Sequence, residues 1–307
     1  MIGIVALFTV QAKADWRSDI GIFRIGVFTG SQSSSALAKS EPFRIAMAEA
    51  LGMEVEFFAA RTTGALIDAL RTDRIEYGLL SASAYALSWH LCECVEPIAA
   101  PRSIDSTDGY HAIMITRQDG PDEIKELAGK QVAELSPGSV TQSVYVKQQL
   151  KKRGLALDSV EFIANGSGEE TLSAFLGGSY DALIGWSSMT GFSDEGYSRG
   201  TLRQIASSQN LTGFRIIWQS AQLPHRPHVV RKKLPGEVKQ ILRNTLSGLF
   251  DSNPVAYDSI EPVYGGGFGL VRHQRYSGLV DVIRELEPAS VKQIDDDAEN
   301  SQEITPQ

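Results

Sequence analysis

The feature that most constrains this chain is a repeated switch of apolar period, from two residues to between three and four and back again. Phe23-Arg24-Ile25-Gly26-Val27-Phe28 reads as a strand and runs into a polar loop, Thr29 to Ser35. Phe43 to Leu51 has helical spacing, with Gly52 placed as its C-cap. Val55 to Ala59 reads as a second strand. Thr62 follows as the N-cap of a helix that puts Leu66, Ile67 and Leu70 on one face. Tyr77 to Leu80 is a short strand ending in Ser81-Ala82-Ser83-Ala84-Tyr85. The order is β-α-β-α-β, which a mostly parallel sheet with helices on its faces accommodates. In such sheets ligands sit beyond the carboxyl ends of the strands.

The same logic repeats downstream, without an alignable sequence repeat. His111 to Thr116 is a strand, Ile124 to Leu127 begins a helix, and Gln131 to Glu134 is a strand leading into Leu135-Ser136-Pro137-Gly138-Ser139-Val140-Thr141-Gln142-Ser143. A helix then runs to about Arg153. Val160 to Ile163 and Asp181 to Trp186 read as strands around a helix from Glu169 to Leu176, whose first-turn carboxylates Glu169 and Glu170 suit the helix dipole. Arg215 to Trp218 returns the chain toward the first half, followed by an extended stretch holding Pro224 and Pro227. Helices are expected over Pro235 to Phe250 and Tyr276 to Leu286. Gly265-Gly266-Gly267 lacks the Lys and Ser or Thr of a phosphate loop and reads as a flexible turn.

At the N-terminus, Ile2 to Val10 is a short apolar run and Ala12-Lys13-Ala14 has the A-x-A form of a signal-peptidase site. Residues 1–14 are expected to be a signal peptide, although no Lys or Arg precedes the run, and cleavage would leave Asp15 first. The run is too short to span a bilayer. Residues 291–307 are polar and acidic and are expected to be disordered.

A net charge of −8 argues against a nucleic-acid surface, which needs a basic footprint. It leaves room for a small anion, because hydroxyls and backbone N–H groups bind anions whatever the global charge. Cys92 and Cys94 are spaced too closely for easy disulfide geometry and are too few for a metal cluster, so two partly buried thiols are expected. His90, His111, His225, His228 and His273 form no metal-ligand spacing, and there is neither a G-x-S-x-G elbow nor a Walker A sequence. No catalytic residue, metal or cofactor is expected.

Three segments could line an anion pocket. Ser136 to Gln142 lies between a strand and a helix start, where unpartnered N–H groups, the positive helix end and the Ser139 and Thr141 hydroxyls converge; the bland alternative is simple N-capping. Ser81, Ser83 and Tyr85 end a strand of the first half, with Tyr85 either donating to a ligand or packing between helix and sheet. Trp186-Ser187-Ser188-Met189-Thr190 follows another strand, and Trp186 either lines a pocket or fills the core.

Over residues 22 to 286 these pieces, in their order and spacing, resemble the phosphate-, phosphite- and phosphonate-binding periplasmic proteins of ABC importers. Phe23 to Val27 is similar to the family's opening strand, and Leu66 to Leu70 through Tyr77 to its helix leading into a short strand. Ser136 to Val146 resembles its Ser-Thr-Ser-Gly loop, and Gly177 to Ala182 its x-Gly-x-x-Asp-Ala stretch. Ile217 to Ser220, with Pro224, Pro227 and Val229-Val230-Arg231, resembles its return crossover. There are departures: Val140 in the middle of the Ser-Thr-Ser triplet, Gln142 for its Gly, Ser81 and Ala82 for Gly-Pro, Gly168 where many members carry a pocket His, and Thr63 where some carry a Tyr. Each lost donor removes about 1–3 kcal/mol of attraction for a charged ligand.

The resemblance implies an α/β, two-lobed type II periplasmic binding protein fold, each lobe a mixed, mainly parallel sheet flanked by helices. Lobe 1 would take residues 22–106 and 219–290, and lobe 2 residues 107–218. It implies closure of the lobes on a small oxyanion such as a phosphonate or phosphite, with Ser139 and Thr141 on its oxygens. The ligand set expected overall is Ser81, Ser83, Tyr85, Ser139, Thr141, Gln142 and Trp186. The partners implied are a small anionic or polar ligand and an ABC permease in the inner membrane, with the chain an exported monomer in the periplasm. Two alternatives stay open: a periplasmic sensor on the same fold signalling to a membrane partner, and a small-metabolite enzyme.

Overall fold

The structure, a computed structural model, describes residues 15–30, 33–164, 166–189 and 197–286. The expected signal peptide and acidic tail, part of the polar loop after the first strand, and Thr190 lie outside the described residues. In chain order the first elements are α1 (Trp16–Ile20), β1 (Phe23–Phe28), α2 (Ser33–Leu51), β2 (Val55–Ala60), α3 (Thr63–Arg71), β3 (Tyr77–Leu79), α4 (Ala82–Cys92) and β4 (Val95–Ser103). Next come β5 (Gly109–Arg117), β6 (Gln131–Glu134), α5 (Tyr145–Lys152), β7 (Glu161–Ile163), α6 (Gly168–Leu176), β8 (Ala182–Met189), β9 (Tyr197–Gly200), α7 (Thr201–Ser208) and β10 (Phe214–Gln219). The chain then returns through β11 (Leu223–Pro224), β12 (His228–Arg231), α8 (Gly236–Ser252), α9 (Pro254–Asp258), β13 (Gly265–Leu270) and α10 (Ser277–Arg284).

These strands make two mixed sheets. One has the order β13-β4-β12-β3-β1-β2 and the other β10-β5-β8-β6-β7, with β11 on β5 and β9 on β8. The parallel pairings, β1 with β2 and β3, and β6 with β7 and β8, are those the βαβ pattern predicts. The antiparallel pairings are β12 on β3 and β4, β13 on β4, β5 on β8, β10 and β11, and β9 on β8, most of them involving a strand next to a passage between the sheets. The chain passes from the first sheet to the second between β4 and β5 and returns between β10 and β12.

Period-two alternation builds the cores. Phe23, Ile25 and Val27 of β1 pack against Met47 and Leu51 of α2 and Leu242 and Leu246 of α8. On the opposite face Gly26 lets α3 approach: a Cβ there would stand 2.3 Å from Leu66 Cδ1 and 2.5 Å from Ile75 Cδ1. In β5, Ile113 and Ile115 join Phe175 and Ile205, while Ala112 and Met114 face the other way. That second face belongs to a core shared by both sheets. It runs from Leu66 and Leu70 through Tyr85 and Tyr276 to Val140 and Val146. Helix α10 ties the halves together, packing on α4 and receiving Gln148 Nε2 at the Val282 carbonyl (3.3 Å) and Lys152 Nζ at Glu285 (2.8 Å).

Four local expectations change. Cys92 and Cys94 form a disulfide with Cα atoms 5.0 Å apart, not two thiols. Glu93, the C-cap of α4, sits in the left-handed region (φ 49°, ψ 16°) and folds Cys94 back onto the last helical turn. Helix α2 begins at Ser33, not Phe43, and carries Pro42 inside it, because Leu37 also packs into the core that Phe43 enters. The expected helix at Ile124–Leu127 is a single 3-10 turn. Gly265–Gly267 opens β13, whose pairing with β4 shifts register by one residue between Gly265 and Phe268.

Candidate functional site

The loop after β6 turns sharply at Gly138, whose φ of 79° lies in the region that favours glycine. The helix behind it does not start as an ordinary α-helix. Val140–Val144 forms a π-helical turn, with the Ser143 and Val144 N–H groups both donating to the Ser139 carbonyl at 2.9 and 3.0 Å. Ser139 caps this turn, its hydroxyl accepting from the Gln142 N–H at 3.3 Å. Its oxygen lies 3.4 Å from the Thr141 hydroxyl, and Ser136 donates to Gln142 Oε1 at 3.0 Å. The widened turn therefore gathers the hydroxyls of Ser136, Ser139 and Thr141. Beside them are the Val140 and Thr141 N–H groups, which by position have no intrahelical acceptor. Capping and anion binding use the same groups here, so the geometry accommodates both readings.

Thr141 leads on to side chains the sequence reading missed. The turn packs on β8, and its Thr141 hydroxyl interacts with the Tyr110 phenol at the start of β5. Burial pushes the Tyr110 pKa up and that interaction draws it partly back. The Tyr110 ring meets Trp186 of β8 edge-on at 5.8 Å and lies nearly parallel to His225 at 6.1 Å. His225 in turn meets Tyr264, just before β13, at 4.8 Å. These four residues come from both passages between the sheets, from β8 and from the turn before β13. Tyr110, Trp186 and Tyr264 are half-buried and His225 is buried. Desolvation holds the His225 pKa down at about 4, against the opposing pull of Glu261 and Asp108. The only hints in the sequence were Gly109-Tyr110 before a strand and the Pro224-His225-Arg226-Pro227 run, neither of which has a chemistry-specific spacing.

Behind this wall is a buried polar network. Arg226 donates through Nε and Nη2 to Glu261 Oε2 at 2.9 and 2.7 Å and through Nη2 to the Ile260 carbonyl at 2.6 Å. His228 Nε2 donates to Glu261 Oε1 at 3.0 Å, which leaves Nδ1 to accept from the Tyr77 hydroxyl. Burial raises the Glu261 pKa, but the Arg226 charge and the bond from His228 outweigh it and hold the carboxyl below its ordinary range. The network fixes the return passage, with His225, to the turn that carries Tyr264.

In the first sheet, Ser81 ends β3 and caps α4, accepting from the Ala84 N–H at 3.0 Å, and Ser83 lies 3.1 Å from it. Both are half-buried. Tyr85 is placed elsewhere. It is fully buried (0% exposed) between α4 and α10, its hydroxyl 2.9 Å from His273 Nδ1 and its ring 4.9 Å from Tyr276. The structure thus joins Ser139, Thr141, Gln142 and Trp186 through Tyr110, keeps Ser81 and Ser83 as a pair on the other sheet, and assigns Tyr85 to the core. Among the described residues no three His, Cys, Asp or Glu side chains gather as a metal-holding group.

Two mixed α/β sheets, joined by two passages with a hydroxyl-rich helix start beside them, define the type II periplasmic binding protein class. The family described as ABC transporter, phosphonate, periplasmic substrate-binding protein matches residues 25–276, and the chain belongs to it. Among solved structures it is similar to XAC2383 from Xanthomonas citri bound to ATP, at 17% identity over 90% of this chain and 98% of that one, with a TM-score of 0.59. It is also similar to PhnD1 from Prochlorococcus marinus in complex with methylphosphonate, at 14% identity over 87% and 98%, with a TM-score of 0.52. At these identities the likeness concerns the fold. No helix among the described residues is long and apolar enough to cross a membrane.

Proposed function

We propose that this chain captures a small phosphorus oxyanion, a phosphonate or phosphite, between its two lobes and delivers it to an ABC permease in the inner membrane. It acts as an exported monomer, by binding alone, with no bond made or broken in the ligand. Lobe 1 takes residues 22–106 and 219–290 and lobe 2 residues 107–218. The observation that carries this reading is the widened turn at Val140–Val144, which sets the Ser139 and Thr141 hydroxyls 3.4 Å apart at a helix N-terminus. A tetrahedral oxyanion there meets two hydroxyls, two backbone N–H groups and the positive helix end.

Gln142 orients the turn through Ser136, and Trp186 walls the site. Ser81 and Ser83 offer hydroxyls from the facing lobe, which hinge closure brings onto the ligand. Tyr85 stays outside this set, because its hydroxyl already has His273.

Isothermal titration with methylphosphonate and phosphite tests the assignment. Two charge-assisted hydrogen bonds contribute about 1.5–3 kcal/mol each. Ser139→Ala combined with Thr141→Ala is therefore expected to raise Kd at least about 100-fold, with the circular-dichroism spectrum unchanged. Equal affinity in the double variant removes that turn from the site.

A further inference from the structure

The oxyanion turn does not stand alone: it packs on β8, and Thr141 interacts with Tyr110 in a row of four rings, Trp186, Tyr110, His225 and Tyr264, each against the next. The wall lies beside Ser139 and Thr141, within reach of the phosphorus substituent of an oxyanion seated on them. The wall's chemistry then decides which substituent is preferred.

A cationic substituent, such as an ammonium, calls for an unoccupied carboxylate. Among the described residues, the carboxylates that act on His225 already have partners. Glu261 holds Arg226, Asp108 lies 3.2 Å from Arg275, and Asp105 accepts from both the N–H and the hydroxyl of Thr107 at 3.0 and 2.6 Å. Arg199 of β9 adds positive potential at both His225 and Tyr264, and Arg226 lies 5.9 Å from the Tyr264 ring. Positive charge is thus disfavoured at the wall, whereas the ring faces and edges remain usable, because Tyr110, Trp186 and Tyr264 are only half-buried. Rings of this kind prefer an offset-stacked or edge-on aromatic partner. A small aliphatic substituent leaves most of that surface unfilled.

We propose that the cleft is selective for oxyanions whose phosphorus bears a flat aromatic ring, the arylphosphonate class, with Trp186 and Tyr264 as specificity-determining residues. The inference rests on the oxyanion-capture reading above and adds the substituent to it. Titration calorimetry with phenylphosphonate, methylphosphonate and 2-aminoethylphosphonate separates the two claims. Phenylphosphonate is expected to bind about tenfold tighter than methylphosphonate, the order of one good ring–ring contact with its burial. Trp186→Leu is expected to bring that ratio to within about twofold of one, and Trp186→Phe to keep most of it. Tyr264→Leu, at a site away from β8, gives a second reading of the ratio should the Trp186 variants misfold. Methylphosphonate or 2-aminoethylphosphonate binding as tightly as phenylphosphonate overturns this inference and leaves oxyanion capture standing. Failure of all three to bind overturns the capture reading and this inference with it.

Discussion

Glu261 is a side chain whose removal the structure predicts to be felt strongly. It is fully buried (0% exposed) and bonded to two basic residues, Arg226 and His228. Glu261→Gln keeps the shape and removes the charge. The guanidinium of Arg226 then loses its counter-ion, and His228 loses a charged acceptor. Breaking a buried pair from one side costs about 3–5 kcal/mol. Arg226 is not sealed, however; its side chain is 32% exposed and can hydrate. That places Glu261→Gln at the low end, near 3 kcal/mol. For a chain of this size about 2–3 °C of Tm goes with each kcal/mol, so a fall of about 6–9 °C at pH 7 is expected in a thermal melt. The mirror experiment, Arg226→Gln, leaves a carboxylate with no access to water and is expected to cost more, about 4–5 kcal/mol. A shift below about 2 °C for Glu261→Gln, or a larger loss for it than for Arg226→Gln, would refute the argument that burial of the acidic partner sets the cost.

The remaining predictions are narrower. His225 has a folded pKa of about 4, below its unfolded value, so the unfolded chain binds the extra proton first as pH falls. The contribution is whole above about pH 6.5 and is lost progressively down to about pH 4, by about 3 kcal/mol. His225→Asn is expected to flatten the fall in Tm across that window, measured as the difference from wild type; parallel curves would contradict it. The Cys92–Cys94 bridge predicts no thiol reactive to Ellman's reagent in denaturant without reductant and two after reduction. Closing so short a loop limits its stabilisation to about 1–2 kcal/mol, so Cys92→Ser is expected to lower Tm by only a few degrees. Gly26→Ala drives a methyl into Leu66 and Ile75 and is expected to cost about 1–3 kcal/mol. An unchanged denaturant midpoint would show that α3 can move aside.

The parallel parts of both sheets were readable from the chain, because periodicity is a local property. The strand in Phe23–Phe28, the Thr62 cap and the helix bearing Leu66 and Leu70 each follow from a few neighbouring residues, and so do the Ser139 cap and the first-turn acids of α6. The order of these pieces was enough to point to the family. What lay beyond reach has no local signature. The strand Val95–Ser103 contains Pro97 and Pro101, and Gly265–Leu270 opens on three glycines; both are strands only because β12 and β4 supply their hydrogen-bond partners. Tyr85 is helical in either reading, and only the arrival of the 3-10 turn His273–Tyr276 settles that its hydroxyl meets His273. Tyr110, His225 and Tyr264 lie far apart in sequence and become one wall because the two passages run side by side. Cys92 and Cys94 pair because one residue, Glu93, adopts a left-handed conformation at a helix end. The sequence by itself determined the alternation of strands and helices and the hydroxyl-rich helix start, since both are set by nearest neighbours. The tertiary structure alone decided which rings surround that start and which charges are already neutralised, because those depend on contacts between segments far apart in sequence, such as Tyr110 with His225 and Asp108 with Arg275.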